Sequence, residues 1–124
     1  MKKIELEFIL NTSVKVLYSR LSTPTGLGEW FADKVNEKDN IYTFEWDGVE
    51  ESAELIASKD LSMVRFHWLE SEDEESYFEF LIVEHELTND VALIVTDFAI
   101  DDEEDEIIEL WNTQIANLKR VIGA

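Results

Sequence analysis

The segment "LSTPTGLGEWFADKVNEKD", Leu21–Asp39, decides how the rest of this chain is interpreted. One proline and two glycines make it too irregular for a single continuous helix. It nevertheless carries Leu27, Trp30 and Phe31 close together. The segment therefore predicts a short helix that ends near Ala32 and delivers an aromatic pair directly before a run of strands.

The residues before the aromatic pair predict a strand and a first short helix. Apolar side chains alternate with acids over Lys2–Asn11, which is the period of a strand. The period then changes, and Thr12 or Ser13 can cap a helix. Apolar residues of this helix fall three and four positions apart: Val14, Leu17, Tyr18 and Leu21. Thr23 can cap the second helix, and Pro24 suits its first helical position.

After Asp33 the pattern returns to a period of two, which predicts antiparallel strands over most of the remaining chain. The predicted strands are Ile41–Trp46, Val49–Ser58, Leu61–Glu70, Ser76–Glu86 and Val91–Ala99, with a weaker one at Lys34–Glu37. Asp47-Gly48 is a strong signal for a two-residue hairpin turn, and Lys59-Asp60 is a weaker one.

The two turns predict which side chains face each other. The first turn places Tyr42 opposite Ala53, and the second places Phe66 opposite Ala53 and Arg65 opposite Glu54, an ion pair on the wet face. Both hairpins then contribute to one apolar face, which supports the register. The predicted face consists of Tyr42, Phe44, Trp46, Ala53, Leu55, Val64, Phe66 and Trp68, joined by Phe80, Ile82, Val91, Leu93 and Val95.

The C-terminal segment "DDEEDEIIELWNTQIANLKRVIGA" predicts one long amphipathic helix. Its apolar stripe is Ile107, Trp111, Ile115, Leu118 and Ile122, widened by Ile108, Leu110 and Val121. Asp101 and Glu104 can form a capping box at its start. Lys119 and Arg120 lie near the end, where the helix dipole favours positive charge.

The length and composition of the chain exclude several classes of function. A chain of 124 residues is expected to form one domain, 1–124. A net charge of −19 argues against nucleic-acid binding, which requires a basic surface. There are no cysteines, so disulfides and thiolate metal sites are excluded. No segment has the length of a membrane span or the pattern of a signal peptide, so we expect a soluble, cytoplasmic protein without membrane insertion.

The predicted order is a strand, two short helices, about six antiparallel strands and a long helix. This α+β order resembles the START-like superfamily, whose helix-grip fold wraps a curved antiparallel sheet of about 6–7 strands around a C-terminal helix. Within it, the chain is most similar to activators of the heat-shock chaperone ATPase (AHSA-type). The segments that carry the resemblance are "LSTPTGLGEWFADKV", "YTFEWDGVEESAEL" and "LWNTQIANLKRVIG".

The resemblance implies a cavity between the sheet and the long helix, in which relatives hold lipids, polyketides or other apolar molecules. The residues alone indicate only that the aromatic side chains are core, so a filled interior and a cavity both stay open. The residues that would line the cavity are Trp30, Phe44, Trp46, Phe66, Trp68, Phe80, Trp111 and Ile115. The implied partner is a small hydrophobic ligand, with no cofactor.

Two other functions are compatible with the same resemblance. One is a protein-interaction module with a chaperone-like partner. The other is a cyclase or hydrolase acting on an apolar substrate, which would need an acid paired with a His or Tyr in the cavity. No nucleophile motif or phosphate-binding loop is present to favour an enzyme.

Four polar residues stand out against the apolar pattern. His67 is expected to be exposed near Phe78 and far from His85, so a two-histidine metal site is not predicted. Glu51 and Asp97 fall on the apolar face, where burial would raise the pKa of a carboxyl group. Either could contact a ligand or act as a base, or could simply reach solvent at the end of its strand.

Overall fold

The computed structural model describes all 124 residues. The elements are β1 (Lys2–Leu10), α1 (Val14–Ser22), α2 (Pro24–Leu27), β2 (Lys34–Lys38), β3 (Ile41–Trp46), β4 (Val49–Lys59), β5 (Met63–Trp68), β6 (Phe78–Glu84), β7 (Val91–Ala99) and α3 (Glu104–Ile122). The strands form one seven-stranded antiparallel sheet in the order β1-β7-β6-β5-β4-β3-β2. This confirms the predicted α+β helix-grip architecture.

The two short helices begin at the predicted caps. Ser13 Oγ accepts a hydrogen bond from Val16 N at 3.1 Å, and Thr23 Oγ1 accepts one from Gly26 N at 2.9 Å. Gly26 is required for the close approach of α2 to α1, since a Cβ there would lie 2.1 Å from Ser19 O. The second helix is shorter than predicted. It ends at Leu27, and a turn completes the path to the aromatic pair.

The start of α3 differs from the prediction. The helix begins at Glu104 with Glu103 as its N-cap, and no side chain caps it. Asp101 and Asp102 lie in the turn after β7, where Asp102 has a φ of +71°. Asp101 therefore lies outside the helix, and the capping box predicted between Asp101 and Glu104 is wrong. The acids of the first turn still lie at the positive end of the helix dipole.

The first hairpin has the predicted register. Trp46 faces Val49, and Tyr42 faces Ala53. Asp47 and Gly48 both have positive φ, 49° and 81°, as a two-residue type I′ turn requires.

The second hairpin has a different register from the predicted one. Phe66 faces Leu55, and Trp68, not Phe66, faces Ala53. The loop between Lys59 and Met63 contains three residues and not the predicted two. On its own, the additional residue would turn the apolar side chains of one strand to the solvent-exposed face. An irregularity between Leu55 and Ala57 absorbs one residue, Ile56, and restores the alternation.

Because of this shift, the predicted ion pair between Arg65 and Glu54 is also wrong. Arg65 Nη2 lies 2.7 Å from Glu79 Oε1 on β6, and Glu54 faces His67. The guanidinium of Arg65 also lies over the ring of Tyr77, 4.2 Å from its centroid. The outer face of the sheet is therefore held by charge and stacking between β5 and β6.

The inner face of the sheet carries the core. All the residues predicted for this face are buried except Trp46, Leu55 and Trp68, which are partly buried and packed against it. From α3, Trp111, Ile115 and Leu118 are buried against the sheet, whereas Leu110 and Val121 at the margins of the stripe are exposed. No helix in the structure has the length and apolar character needed to cross a membrane.

Candidate functional site

A cleft of about 450 Å³ lies where the first half of α3 meets the end of the sheet near the β3–β4 turn. We call it the tryptophan cleft. Its lining residues are Phe31, Trp46, Glu51, Trp68, Asp97, Phe98, Ile107, Leu110, Trp111 and Gln114. Seven of these ten are hydrophobic, and three are tryptophans from β3, β5 and α3.

Phe31 holds the elements around the cleft together. Its carbonyl oxygen accepts hydrogen bonds from Trp46 Nε1 at 2.7 Å and from Gln114 Nε2 at 3.1 Å. Its ring lies nearly parallel to that of Trp111, with centroids 5.9 Å apart, and edge-on to that of Trp46 at 5.4 Å. The segment after α2 is thus fixed to both the sheet and the long helix.

Trp30, the other member of the aromatic pair, points away from the tryptophan cleft. It is buried, and its Nε1 donates to Arg20 O on α1 at 2.8 Å. Its ring packs edge-on against that of Phe80, with centroids 5.7 Å apart. The irregular segment therefore joins the short helices, through Trp30, to the cleft, through Phe31.

Asp97 is a half-buried acid on the wall of the cleft. Its Oδ2 accepts a hydrogen bond from Trp111 Nε1 at 2.8 Å, and its Oδ1 accepts one from Phe98 N at 2.7 Å. Burial raises the pKa of the Asp97 carboxyl, and the hydrogen bonds from Trp111 and Phe98 oppose this rise. Asp97 thus orients the indole of Trp111 and contributes a negative charge to the cleft when it is ionised.

Glu51 is the second acid of the cleft. It is exposed and lies opposite Phe44, close to the β3–β4 turn. No lysine, arginine, histidine or tyrosine lines the cleft. Its polar chemistry therefore consists of two carboxyl groups and the amide of Gln114.

The eight residues predicted to line a cavity lie in three different places. Trp46, Trp68 and Trp111 line the tryptophan cleft. Trp30 lines a neighbouring surface pocket of about 550 Å³, which also contains Phe31 and Arg120. The other four are enclosed in the core, each no more than 1% exposed: Phe44, Phe66, Phe80 and Ile115.

The enclosed residues form a packed aromatic centre under α3. The ring centroid of Phe66 lies 5.0 Å from that of Tyr42 and 5.1 Å from that of Phe78. Phe44 and Phe66 approach to 6.2 Å, edge to face. These are the ordinary separations of packed aromatic pairs. The space beside the sheet therefore lies at its end and not along its middle.

Five residues of the cleft were not predicted to line it. Phe31 was predicted only as a member of the aromatic pair, and Ile107 only as a member of the α3 stripe.

The other three are Gln114, Leu110 and Phe98. Gln114 lies one helical turn after Trp111, so helical spacing could have placed it on the same side. Leu110 was assigned to the margin of the stripe, and there it forms part of the mouth, 52% exposed. Phe98 follows Asp97 on β7, and nothing in the strand pattern indicates that it reaches the cleft.

The two histidines lie away from the cleft. His67 is on the outer face, as predicted, but it is half-buried and not exposed. Its Nδ1 lies 2.7 Å from Ser76 O in the loop before β6. His85 is exposed in the β6–β7 connection. No group of three or more His, Asp or Glu side chains is positioned to hold a metal ion.

The family model described as the START-like superfamily domain matches residues 1–124, so the chain belongs to the START-like superfamily. Members of this superfamily commonly bind apolar ligands. The assignment confirms the resemblance seen in the sequence. A comparison with curated proteins gives no match.

Several solved structures are similar to this chain. BfR322 from Bacteroides fragilis is 44% identical with a TM-score of 0.70, over 96% of this chain and 89% of that chain. The Aha1 dimer from Colwellia psychrerythraea is 16% identical with a TM-score of 0.82, over 98% of this chain and 96% of that chain. DynU16, a protein in the dynemicin biosynthetic locus, is 14% identical with a TM-score of 0.76, over 97% of this chain and 46% of that chain. At such low identity, the last two show a shared fold.

Proposed function

We propose that this protein binds a small apolar molecule, lipid-like or polyketide-like, in the tryptophan cleft between the sheet and α3. The observation that carries the proposal is the cleft itself, about 450 Å³ in volume and lined mainly by aromatic and aliphatic side chains. Ligand sites in proteins are typically concave, mostly apolar and roughly 300–1,000 Å³ in volume. The cleft is within that range.

The hydrogen bonds around the cleft favour binding through apolar contact. The indole N–H groups of Trp46 and Trp111 already donate to Phe31 O and Asp97 Oδ2. Their rings can therefore pack against a guest without leaving a buried donor unpaired. Burial of apolar area would stabilise the complex by about 25 cal/mol per Å² before the costs of association are subtracted.

The family supports the same function. The superfamily to which the chain belongs commonly binds apolar ligands. In this chain, the enclosed phenylalanines pack at ordinary aromatic separations, which favours the end of the sheet as the place where such a ligand would bind.

Binding can be tested by native mass spectrometry of the purified protein and by calorimetric titration with neutral lipids and flat aromatic molecules. We expect saturable binding of one guest per chain, with a higher melting temperature because the guest binds only the folded state. The proposal fails if a broad screen of neutral, anionic and cationic apolar molecules gives no saturable binding.

A matched pair of variants locates the site. Leu110→Trp enlarges a side chain at the mouth of the cleft, and we expect it to weaken binding at least tenfold. Leu87→Trp makes the same change in the β6–β7 connection, where Leu87 is fully exposed, and should leave binding unchanged. Equal effects of the two substitutions would place the guest elsewhere.

A further inference from the structure

Two pairs of aromatic rings in the tryptophan cleft are inclined to one another, whereas the rings of Phe31 and Trp111 are stacked nearly parallel. The planes of Trp46 and Trp68 form an angle of 56°, with centroids 6.2 Å apart. Those of Phe31 and Trp46 form an angle of 73° at 5.4 Å. Rings with different inclinations around one space can present several π-faces to a single guest. A tryptophan face is the aromatic surface that attracts a cation most strongly.

The charges around the cleft have one sign. Glu51 and Asp97 are its only ionisable lining residues. The neighbouring pocket contains one base, Arg120, whose Nη2 donates to Asn117 Oδ1 at 2.6 Å. The whole chain adds a net charge of −19, which attracts cations and repels anions at long range.

We propose that the tryptophan cleft selects apolar cations, such as aryl or alkyl ammonium ions, over neutral or anionic molecules of the same shape. This inference rests on the proposed function and names the class of ligand for the same site. The aromatic faces attract the cationic head, the carboxylates of Glu51 and Asp97 neutralise it, and the aliphatic rim buries the tail. A fatty-acid carboxylate would instead meet two like charges at the cleft.

The Asp97 carboxylate is suited to this role by its fixed position. Hydrogen bonds from Trp111 Nε1 and Phe98 N hold it on the wall of the cleft, so it needs no rearrangement to face a bound cation. Burial raises the pKa of this carboxyl because it disfavours the charged form, and a bound cation would favour that form. Glu51 is exposed, so it can be replaced without disturbing the fold.

The test uses two guests of the same shape that differ by one charge. We would titrate para-(trimethylammonio)phenol and para-tert-butylphenol by calorimetry at neutral pH and about 0.15 M salt, where long-range attraction beyond about 8 Å is screened. The cation should bind about tenfold more tightly than its neutral isostere. An anion of similar size, para-hydroxybenzoate, should bind more weakly than both.

Two variants on the same strand separate a local effect from the effect of net charge. Glu51→Gln removes a negative charge from the cleft and should reduce the preference for the cation to about threefold or less. Glu54→Gln removes the same charge from the outer face, where Glu54 lies opposite His67, and should leave the preference unchanged. Both positions are exposed, so both variants should fold.

Each outcome has a separate meaning. If both guests bind equally, the inference is overturned while the proposed apolar site stands. If Glu54→Gln reduces the preference as much as Glu51→Gln does, the preference comes from net charge, and the inference is also overturned. If neither guest binds and the wider screen also fails, the proposed function itself is wrong.

Discussion

The middle and the end of the space between the sheet and α3 use aromatic residues in different ways. In the middle, phenylalanines are completely enclosed: Phe44, Phe66 and Phe80 each have 0% exposure. At the end, Trp46 and Trp68 are half-buried and line a cleft. The enclosed phenylalanines belong to the buried core, and Trp46 and Trp68 pack against it, yet only the tryptophans have space beside their rings.

The chemistry of the side chains explains this difference. A phenylalanine has no polar atom and can be surrounded on all sides, whereas an indole needs a partner for its N–H. Trp46 and Trp111 find their partners in Phe31 O and Asp97 Oδ2, both at the end of the sheet. Tryptophans therefore suit the boundary of this core, and phenylalanines its centre.

The largest expected effect is a loss of stability on substitution of Trp111, where the two regions meet. Trp111→Ala should lower the free energy of unfolding by about 3–5 kcal/mol, because it empties a buried site and leaves Asp97 without its side-chain donor. Glu109→Ala on the exposed side of α3 should change it by about 0.5 kcal/mol or less. Urea unfolding measures both, and the reverse order would mean that α3 does not dock through Trp111.

A smaller effect compares the two regions directly through insertion of a larger ring. Phe66→Trp should cost about 1–3 kcal/mol, because the centre is full and cannot accept additional atoms without strain. Leu110→Trp adds an even larger volume at the mouth of the cleft but should cost less than about 0.5 kcal/mol, since Leu110 is 52% exposed. Equal costs in urea unfolding would contradict the contrast between a filled centre and a cleft at its end.

The third effect concerns the pH dependence of stability at the cleft. The pKa of Asp97 is raised in the folded state by burial, so the folded protein holds this proton to a higher pH than the unfolded chain does. The contribution of Asp97 to stability is therefore greatest below its unfolded pKa of about 3.9 and falls as the pH rises through the raised folded value.

Asp97→Asn removes this titration. The stability of the variant relative to the original protein should therefore increase as the pH rises from acid to neutral. Urea unfolding of both proteins at a series of pH values measures the difference. Parallel curves would show that Asp97 titrates at the same pH in the folded and unfolded states.

The smallest expected effect is the response of the melting temperature to salt, which does not distinguish the two regions. With 29 acids and 10 bases, self-repulsion should destabilise the folded state, so sodium chloride should raise the melting temperature by a few degrees. The packed centre is apolar, so the melting temperature of Phe66→Trp should show the same salt response as that of the original chain. A flat or falling response between low and moderate salt would indicate that local ion pairs already compensate the acids.

Local patterns in the sequence predicted most of the fold. The caps at Ser13 and Thr23 and the turn at Asp47-Gly48 depend on neighbouring residues alone, and all three are found. The predicted register of β4 with β5 was wrong, because the actual register depends on a three-residue loop combined with a bulge at Ile56. The loop and the bulge each shift the strand by one residue, which reverses the side chains that face the core. Because the two shifts cancel, the apolar alternation is unchanged, and the sequence pattern shows no sign of either.

The candidate site was only partly predictable for a similar reason. Strand alternation correctly placed Phe44 and Trp46 on one face, but it cannot show which end of that face α3 leaves uncovered. Helical spacing could place Gln114 on the same side of α3 as Trp111, but not its hydrogen bond to Phe31, which is 83 residues away in the chain. The chaperone-like partner and the enzymatic alternative stay predictions that depend on experiment.

The sequence by itself determined the order of the elements, the apolar face of the sheet and the docking stripe of α3, because these follow from periods of two and 3.6 residues and from local turn chemistry. Only the tertiary structure decided that the middle of the groove is filled and that a cleft remains at its end. That outcome depends on how rings from Phe31, the sheet and α3 fit together in three dimensions. The volume left between them is a property of the packing, which no local pattern records.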